Sequence, residues 1–160
     1  MKRMYKAFFE SPIGILKIVS FKDKINSVEF VEIKEESIMN NLLEDCITLL
    51  EEYFEGKRKK INIPLEIRGT DFQIKVLNII KTIPYGETIS YKNIAILLGG
   101  IKYSRAVGNV CNKNRLPILI PCHRVIGSNN KLTGYSAGIS KKQWLLDFEK
   151  KNLKTNIHAY

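Results

Sequence analysis

The sequence predicts an α/β protein: a small N-terminal antiparallel sheet with one helix, packed on a helical C-terminal domain that contains a helix-turn-helix. Three observations lead there. Residues up to about 33 read as short strands broken by turn residues. From Ser37 to Glu55 the apolar period changes to three and four. Between 90 and 114, two short helical stretches follow one another across a pair of glycines. "GKRKKINIPLEIRG" (56–69), with its charge run and Pro64, interrupts both patterns. It marks the expected boundary, giving domains 1–63 and 64–160.

In chain order, "MYKAFFES" and "GILKIVSFK" flank "SPIG", where Pro12 suits the second turn position and Gly14 relieves the fourth. A second turn is expected at Asp23–Lys24, leading to a third strand. Met39, Leu42, Leu43, Cys46, Leu49, Leu50, Tyr53 and Phe54 then form one helical stripe, stopped by Gly56. Cys46 lies on that stripe and reads as core. Thr70 with Gln73 makes a capping box for "DFQIKVLNIIKT", which Pro84 closes. "SYKNIAILLGG" (90–100) and "SRAVGNVCNKN" (104–114) are the paired short helices, the second placed to read DNA. Ser140 with Gln143 is expected to cap a last helix, "KKQWLLDFEKK", with Trp144, Leu145 and Phe148 available to bury.

Composition narrows the function classes. At 160 residues, 44% hydrophobic and 26% charged, the chain has the balance of a soluble globular protein. Its apolar runs are too short to cross a bilayer, and "MKRMYKAFFES" lacks the apolar core of a secretory signal. Cys46, Cys111 and Cys122 form no CxxC pair, which suits a reducing, cytoplasmic compartment. With only His123 and His158 beside them, no metal site is expected. The net charge of +10 fits a solubilising surface or a polyanionic partner, most simply nucleic acid.

The chemical question is posed by "ILIPCHRVIG" (118–127), where an apolar run meets Pro121, Cys122, His123 and Arg124. A cysteine attacks as thiolate, and an ordinary thiol pKa of about 8.5 leaves little of it at neutral pH. A base or cation is therefore needed. Adjacent side chains of an extended segment face opposite ways, so Cys122 and His123 meet only through a turn after Pro121 or a bridging water. A third group, usually a carboxylate, must orient the imidazole. Spacing alone does not identify it. Cys122 by itself is also compatible with a buried small hydrophobe.

The larger constellation decides between these. "PCHRVIG", preceded by "PILI" and followed by "TGYSAG" and "KQWLLDFE", closely resembles the O6-alkylguanine-DNA alkyltransferases. "DFQIKVLNIIKTIPYGETISY" and "RAVG" match upstream at the family's spacing, so the resemblance covers roughly residues 69–150. The N-terminal part shares only the strand–turn–strand–helix plan, including "SPIG". The resemblance implies a ribonuclease H-like N-terminal fold and a winged-helix-like C-terminal one. It implies that Cys122 accepts an alkyl group from guanine O6, or thymine O4, in double-stranded DNA. His123 would take the thiol proton through a water, and Glu149 would orient His123. Asn114 would tie the recognition helix to the active-site segment. Tyr91 and Ser136 would donate hydrogen bonds to the flipped guanine, and Tyr135 would wall the pocket. Arg105 would fill the vacated stack, Ala106 and Gly108 would let backbone approach the minor groove, and Arg124 is counted among the DNA contacts. The implied protein is a monomeric, single-turnover reagent without cofactor or membrane partner.

Three positions depart from the family pattern: Arg115 where proline is usual, Asn78 where tryptophan is frequent, and Ala137 where glycine is usual. Other classes account for less. A damage-binding relative without catalysis would lack Cys122. A cysteine hydrolase on Cys122, His123 and Glu149 leaves Arg105 and the helix pair unexplained. A transcription factor leaves "PCHR" without a purpose.

Overall fold

A computed structural model describes residues 3–157; His158 and the first two residues of the basic N-terminus lie outside that range. The chain divides into two compact units, Met1–Ile67 and Arg68–Tyr160. The expected boundary after residue 63 moves four residues on. Ile25 donates to the Pro64 carbonyl (2.9 Å) and accepts from the Glu66 N–H (2.9 Å), which ties this segment to the first unit.

The first unit is built on strands β1 (Tyr5–Ser11), β2 (Gly14–Phe21) and β3 (Lys24–Val31), antiparallel in that order. Leu16, Ile18 and Ser20 alternate inward along β2, as the pleat requires. The second turn falls one residue earlier than expected. Lys22 and Asp23 are its central pair, with φ of 53° and 60°, the conformation whose twist matches that of the flanking strands. Helix α1 (Asn41–Phe54) lays Leu43, Cys46, Leu50 and Tyr53 into the core. It starts later than Ser37 because Asn40 is the cap, accepting from the Leu43 N–H (2.9 Å), and Ile38 is spent elsewhere. Ile38 exchanges two backbone hydrogen bonds with Lys6 (2.9 and 3.0 Å), covering the free edge of β1. Met39 is left partly exposed instead of joining the stripe.

In the second unit, α2 (Asp71–Lys81) opens on the expected capping box, with Thr70 N–H donating to Gln73 Oε1 (2.9 Å) and Gln73 N–H to Thr70 Oγ1 (3.2 Å). Strand β4 (Ile89–Ser90) runs directly into α3 (Tyr91–Leu97), capped by Ser90. Gly99 and Gly100, at φ of 127° and 153°, turn the chain through a short 3-10 segment (Ile101–Tyr103) into α4 (Ser104–Asn112). Helices α3 and α4 pack together, which makes the helix-turn-helix. Residues 125–126 form β5 (Val125–Ile126), parallel to β4. The last helix, α5 (Ile139–Ile157), begins before Ser140, so Ser140 is inside its first turn and not its cap. Gly138, at φ 104°, provides the abrupt entry, and Gln143 donates to Asp147 (2.8 Å) one turn on.

Candidate functional site

The segment joining α4 to the Cys122 turn has no regular structure yet is buried, with Leu116, Ile118, Leu119 and Ile120 each at most 6% exposed. Buried backbone must find hydrogen bonds, and Asn114 provides them. Its side-chain amide donates to the Ile120 carbonyl (3.0 Å), and its Oδ1 accepts from the Leu116 N–H (3.0 Å). The loop is thereby closed without a proline at 115. Arg115 points to solvent. Ile118 sits at φ 72°, a left-handed conformation that a β-branched residue adopts only under constraint. The constraint here is the loop that delivers Cys122.

Pro121, at φ −79° and ψ 61°, makes a tight inverse turn in which the Cys122 N–H donates to the Ile120 carbonyl (2.8 Å). Cys122–Arg124 is then a single 3-10 turn. This is the turn that an extended segment lacks, and it lets all three side chains point inward. Cys122 and His123 are fully buried.

From α5, Glu149 meets this turn. His123 Nε2 lies 2.7 Å from Glu149 Oε2. Arg124 donates to the same carboxylate through Nε (2.9 Å) and Nη2 (3.0 Å), and the Gly86 N–H adds a fourth donor (3.2 Å). Burial works against the charged carboxylate. His123 and Arg124 outweigh it and hold Glu149 well below the usual carboxylate range. With Nε2–H donated to Glu149, the imidazole presents a lone pair at Nδ1, a buried atom with no protein partner. Burial also pushes the His123 pKa below its ordinary value, more strongly than Glu149 raises it. His123 is thus a neutral base with one nitrogen fixed and the other free.

Burial pushes the Cys122 thiol well above its ordinary pKa, and a hydrogen bond with Cys111 adds to this, while Lys142 and Asn114 pull the other way. At rest the thiol keeps its proton, so attack needs a base. Tyr135 stands edge-on to His123 (ring centroids 6.4 Å apart), and its buried hydroxyl also lacks a protein partner.

Arg124 does not fit its expected place at the DNA. Besides holding Glu149, it donates to the Ile83 carbonyl (2.7 Å) and lies over the Tyr85 ring (5.6 Å). Its side chain is 8% exposed. With Nε, Nη1 and Nη2 each donating inside the protein and the side chain buried, the expectation is corrected: Arg124 is an internal brace.

Three of the other expected residues, Tyr91, Arg105 and Gly108, line an open cleft of about 570 Å³, whereas Ala106, Tyr135 and Ser136 are not among its walls. Thr133 and Gly134 also line it. Arg105 is exposed on α4, whereas Ala106 and Gly108 are half-buried. A methyl group at Gly108 would meet the Tyr91 ring at 3.9 Å, an ordinary contact, so nothing inside the protein requires glycine there. Ser136 is exposed in the loop between Gly134 and Gly138. Lys142 went unnoticed in the sequence although it is fully buried. It shares the inward face of α5 with Leu145 and Glu149, and two opposite charges on a buried stripe were the available signal.

Charge is divided unevenly. Residues 68–160 hold 15 Lys and Arg against 4 Asp and Glu, while residues 1–67 hold 11 against 12. The whole surplus belongs to the unit with the helix-turn-helix. Among the described residues no helix is long and apolar enough to cross a membrane.

A strained loop presenting a cysteine beside a carboxylate-held histidine, on a basic helix-turn-helix unit, defines a DNA-directed protein with a cysteine centre. The sequence profile "6-O-methylguanine DNA methyltransferase, DNA binding domain" matches residues 71–151, and "6-O-methylguanine DNA methyltransferase, ribonuclease-like domain" matches residues 4–67. The methylated-DNA–protein-cysteine methyltransferase of Methanosarcina acetivorans is 42% identical over 153 residues, covering 91% of this chain and 98% of that one. The crystal structure of Mycobacterium tuberculosis O6-methylguanine methyltransferase superposes with a TM-score of 0.84 at 36% identity, covering 94% of each chain. A second structure of that protein, in complex with DNA, gives 0.83 at 37% identity over 91% of this chain and 92% of the other. The chain belongs to the 6-O-methylguanine DNA methyltransferase family.

Proposed function

We propose that this protein repairs DNA by moving an alkyl group, mainly methyl, from O6 of guanine (or O4 of thymine) to its own Cys122. The observation that carries this reading is the free Nδ1 of buried His123, whose opposite nitrogen Glu149 fixes. The Cys122 sulfur attacks the alkyl carbon in line with the C–O6 bond. A C–S bond forms, the C–O bond breaks, and its electron pair passes to the base. The thiol proton leaves toward His123 Nδ1 through a water. Tyr91 and Ser136 donate hydrogen bonds to the base as it gains negative charge, the point at which preorganised donors accelerate transfer most. Burial raises the Tyr91 pKa to about 12, so its phenol retains the proton it must offer.

An alkylated O6 lies inside the duplex, so the nucleotide must first be rotated out, at a cost of a few kcal/mol. Arg105 fills the gap from α4 while Tyr135 walls the pocket. Ala106 and Gly108 allow close approach to the minor groove. The 15-to-4 charge balance of residues 68–160 supports a phosphate-contacting role for this unit. A thioether is a poor leaving group, so each molecule acts once. The protein works as a monomer in the cytoplasm, without cofactor, on double-stranded DNA bearing O6-alkylguanine.

The test is incubation with a duplex carrying labelled O6-methylguanine, followed by mapping of the labelled peptide. The label is expected on Cys122, and Cys122→Ser should abolish transfer while retaining DNA binding, because a hydroxyl is a far weaker nucleophile than a thiolate at neutral pH. Label on Cys46 or Cys111, or catalytic turnover, would refute the reading.

A further inference from the structure

Cys111 and Cys122 are both free thiols, and both are buried. Cys111 lies on the inward face of α4 with Val107 and Val110, where any small apolar side chain would fill the space. Its neighbour sets it apart. The Cys111 thiol is hydrogen-bonded to that of Cys122. One residue holds the two backbones together. Asn114 donates its N–H to the Cys111 carbonyl (3.3 Å) and its side-chain amide to the Ile120 carbonyl (3.0 Å). That same Ile120 oxygen accepts from the Cys122 N–H (2.8 Å). The loop between the cysteines is thus drawn shut at its ends, with the thiols in contact. Alkyl transfer needs one thiol, and a second at hydrogen-bond distance has no part in it. A reactive thiol beside a resolving one is the arrangement of redox-sensing cysteines. Cys46, by contrast, packs in the core of the first unit on α1.

We propose that Cys111 and Cys122 form a reversible disulfide under hydrogen peroxide, which switches alkyl transfer off and shields the acceptor sulfur from irreversible oxidation. The switching rests on the reading of Cys122 as alkyl acceptor; the disulfide itself does not. The Cys122 sulfur attacks one peroxide oxygen while its proton passes toward His123 Nδ1. An S–O bond forms, the O–O bond breaks, and the departing hydroxide takes that proton and leaves as water. The Cys111 sulfur then attacks the sulfenic sulfur of Cys122. The S–S bond forms, the S–O bond breaks, and hydroxide leaves with the Cys111 proton as a second water. Two thiols lose two electrons and peroxide gains them. Peroxide is smaller than an alkylated base, so a sulfur that the base's alkyl carbon can reach is open to it. Without Cys111, the sulfenic acid goes on to sulfinic acid, which thiols do not reverse. The link joins a helix to a loop already constrained at Ile118 (φ 72°), and strained disulfides are the ones reduced most readily. In reducing compartments such disulfides are transient and redox-sensing.

The experiment treats reduced, folded wild type and Cys111→Ala with hydrogen peroxide, blocks the remaining thiols with iodoacetamide in denaturant, and maps the tryptic peptides. Trypsin cuts at Lys113 and Arg115, so the two cysteines fall on separate peptides that only a disulfide joins. Wild type should yield the Cys111–Cys122 linked pair, with Cys46 blocked by iodoacetamide. Single-turnover methyl transfer to wild type should drop at least tenfold after peroxide and return to within twofold of its starting rate on addition of dithiothreitol. Protein methylated by its substrate beforehand should form no link. Reduced Cys111→Ala should transfer methyl at close to the wild-type rate. After peroxide its loss should persist in dithiothreitol, with Cys122 found as sulfinic acid. Absence of the linked pair from wild type overturns the inference, whether Cys122 is then untouched, sulfinic or paired with Cys46. So does full recovery of oxidised Cys111→Ala in dithiothreitol. Should Cys111→Ala fail to fold, the wild-type map decides alone. A linked pair in a protein that transfers no methyl when reduced leaves the disulfide standing and removes the proposed function.

Discussion

Arg124 and Glu149 are locked in a two-point pair inside the protein, with Nε and Nη2 donating to separate carboxylate oxygens at 2.9 and 3.0 Å. The pair joins the Cys122 turn to α5. Arg124→Ala leaves a buried carboxylate short of two donors and should cost about 3–5 kcal/mol of stability. Arg124→Lys should restore only part, since an ammonium cannot reproduce the fork. Denaturant unfolding measures both. The salt dependence of DNA binding should stay at its wild-type slope; a slope reduced by about one would return Arg124 to the phosphate contacts.

The same carboxylate predicts a pH dependence of stability. Glu149 is held below its ordinary value, so its contribution is present above the unfolded pKa near 4.5 and is lost as pH falls toward the lower folded value. Glu149→Gln should therefore be much less stable than wild type at neutral pH, and the gap should narrow below pH 4.5. Urea unfolding at several pH values checks this, and a gap that is constant with pH would contradict it.

As the proposed base, His123 should set the acid side of the reaction. Its pKa is depressed below 6.5, chiefly by burial, so the imidazole stays a neutral base as pH drops through that value. Methyl-transfer rates should hold from neutral pH past 6.5 and fall only on the acid side of it. An acid limb centred at or above 6.5 would show that His123 is exposed or plays no part as base.

Asn114→Ala removes both side-chain hydrogen bonds that close the loop before Cys122. The Ile120 carbonyl and Leu116 N–H are left buried, at about 1–3 kcal/mol for each group unsatisfied. Transfer should fall further than stability explains, since the loop delivers Cys122, the proposed acceptor. Comparing single-turnover rates with unfolding free energies separates the two effects, and a rate equal to wild type in the folded fraction would sink the idea.

Arg105 is exposed on α4 at the cleft, away from the buried network. Arg105→Ala should leave stability within about 0.5 kcal/mol. It should slow repair of duplex more than transfer from a free O6-alkylguanine base, because only the duplex requires a nucleotide held out. Equal losses on both substrates would remove Arg105 from that task.

Local chemistry was readable in the sequence wherever neighbours along the chain decide the outcome. The Thr70–Gln73 capping box, the α1 stripe and the helix pair around Gly99–Gly100 follow from spacing and backbone preference alone. The cysteine, its adjacent histidine and the family resemblance were likewise present in "PCHRVIG". One error arose where a distant partner claimed a residue, another where a nearby glycine had already redirected the backbone. Ile38 left the expected helix because β1 had an open edge, and Ser140 entered its helix because Gly138 had already turned the chain.

Only the tertiary structure decided which way the basic side chains face. Arg105 and Arg124 are indistinguishable as letters, yet one is exposed and the other is spent on Glu149, 25 residues away. The same holds for Lys142, one lysine among many in the sequence and a fully buried one in the fold. Long-range burial sets the cost of a charge, and the partners that offset it arrive from separate elements. No pattern along the chain encodes that meeting. It exists only once α3, the Cys122 turn and α5 are brought together.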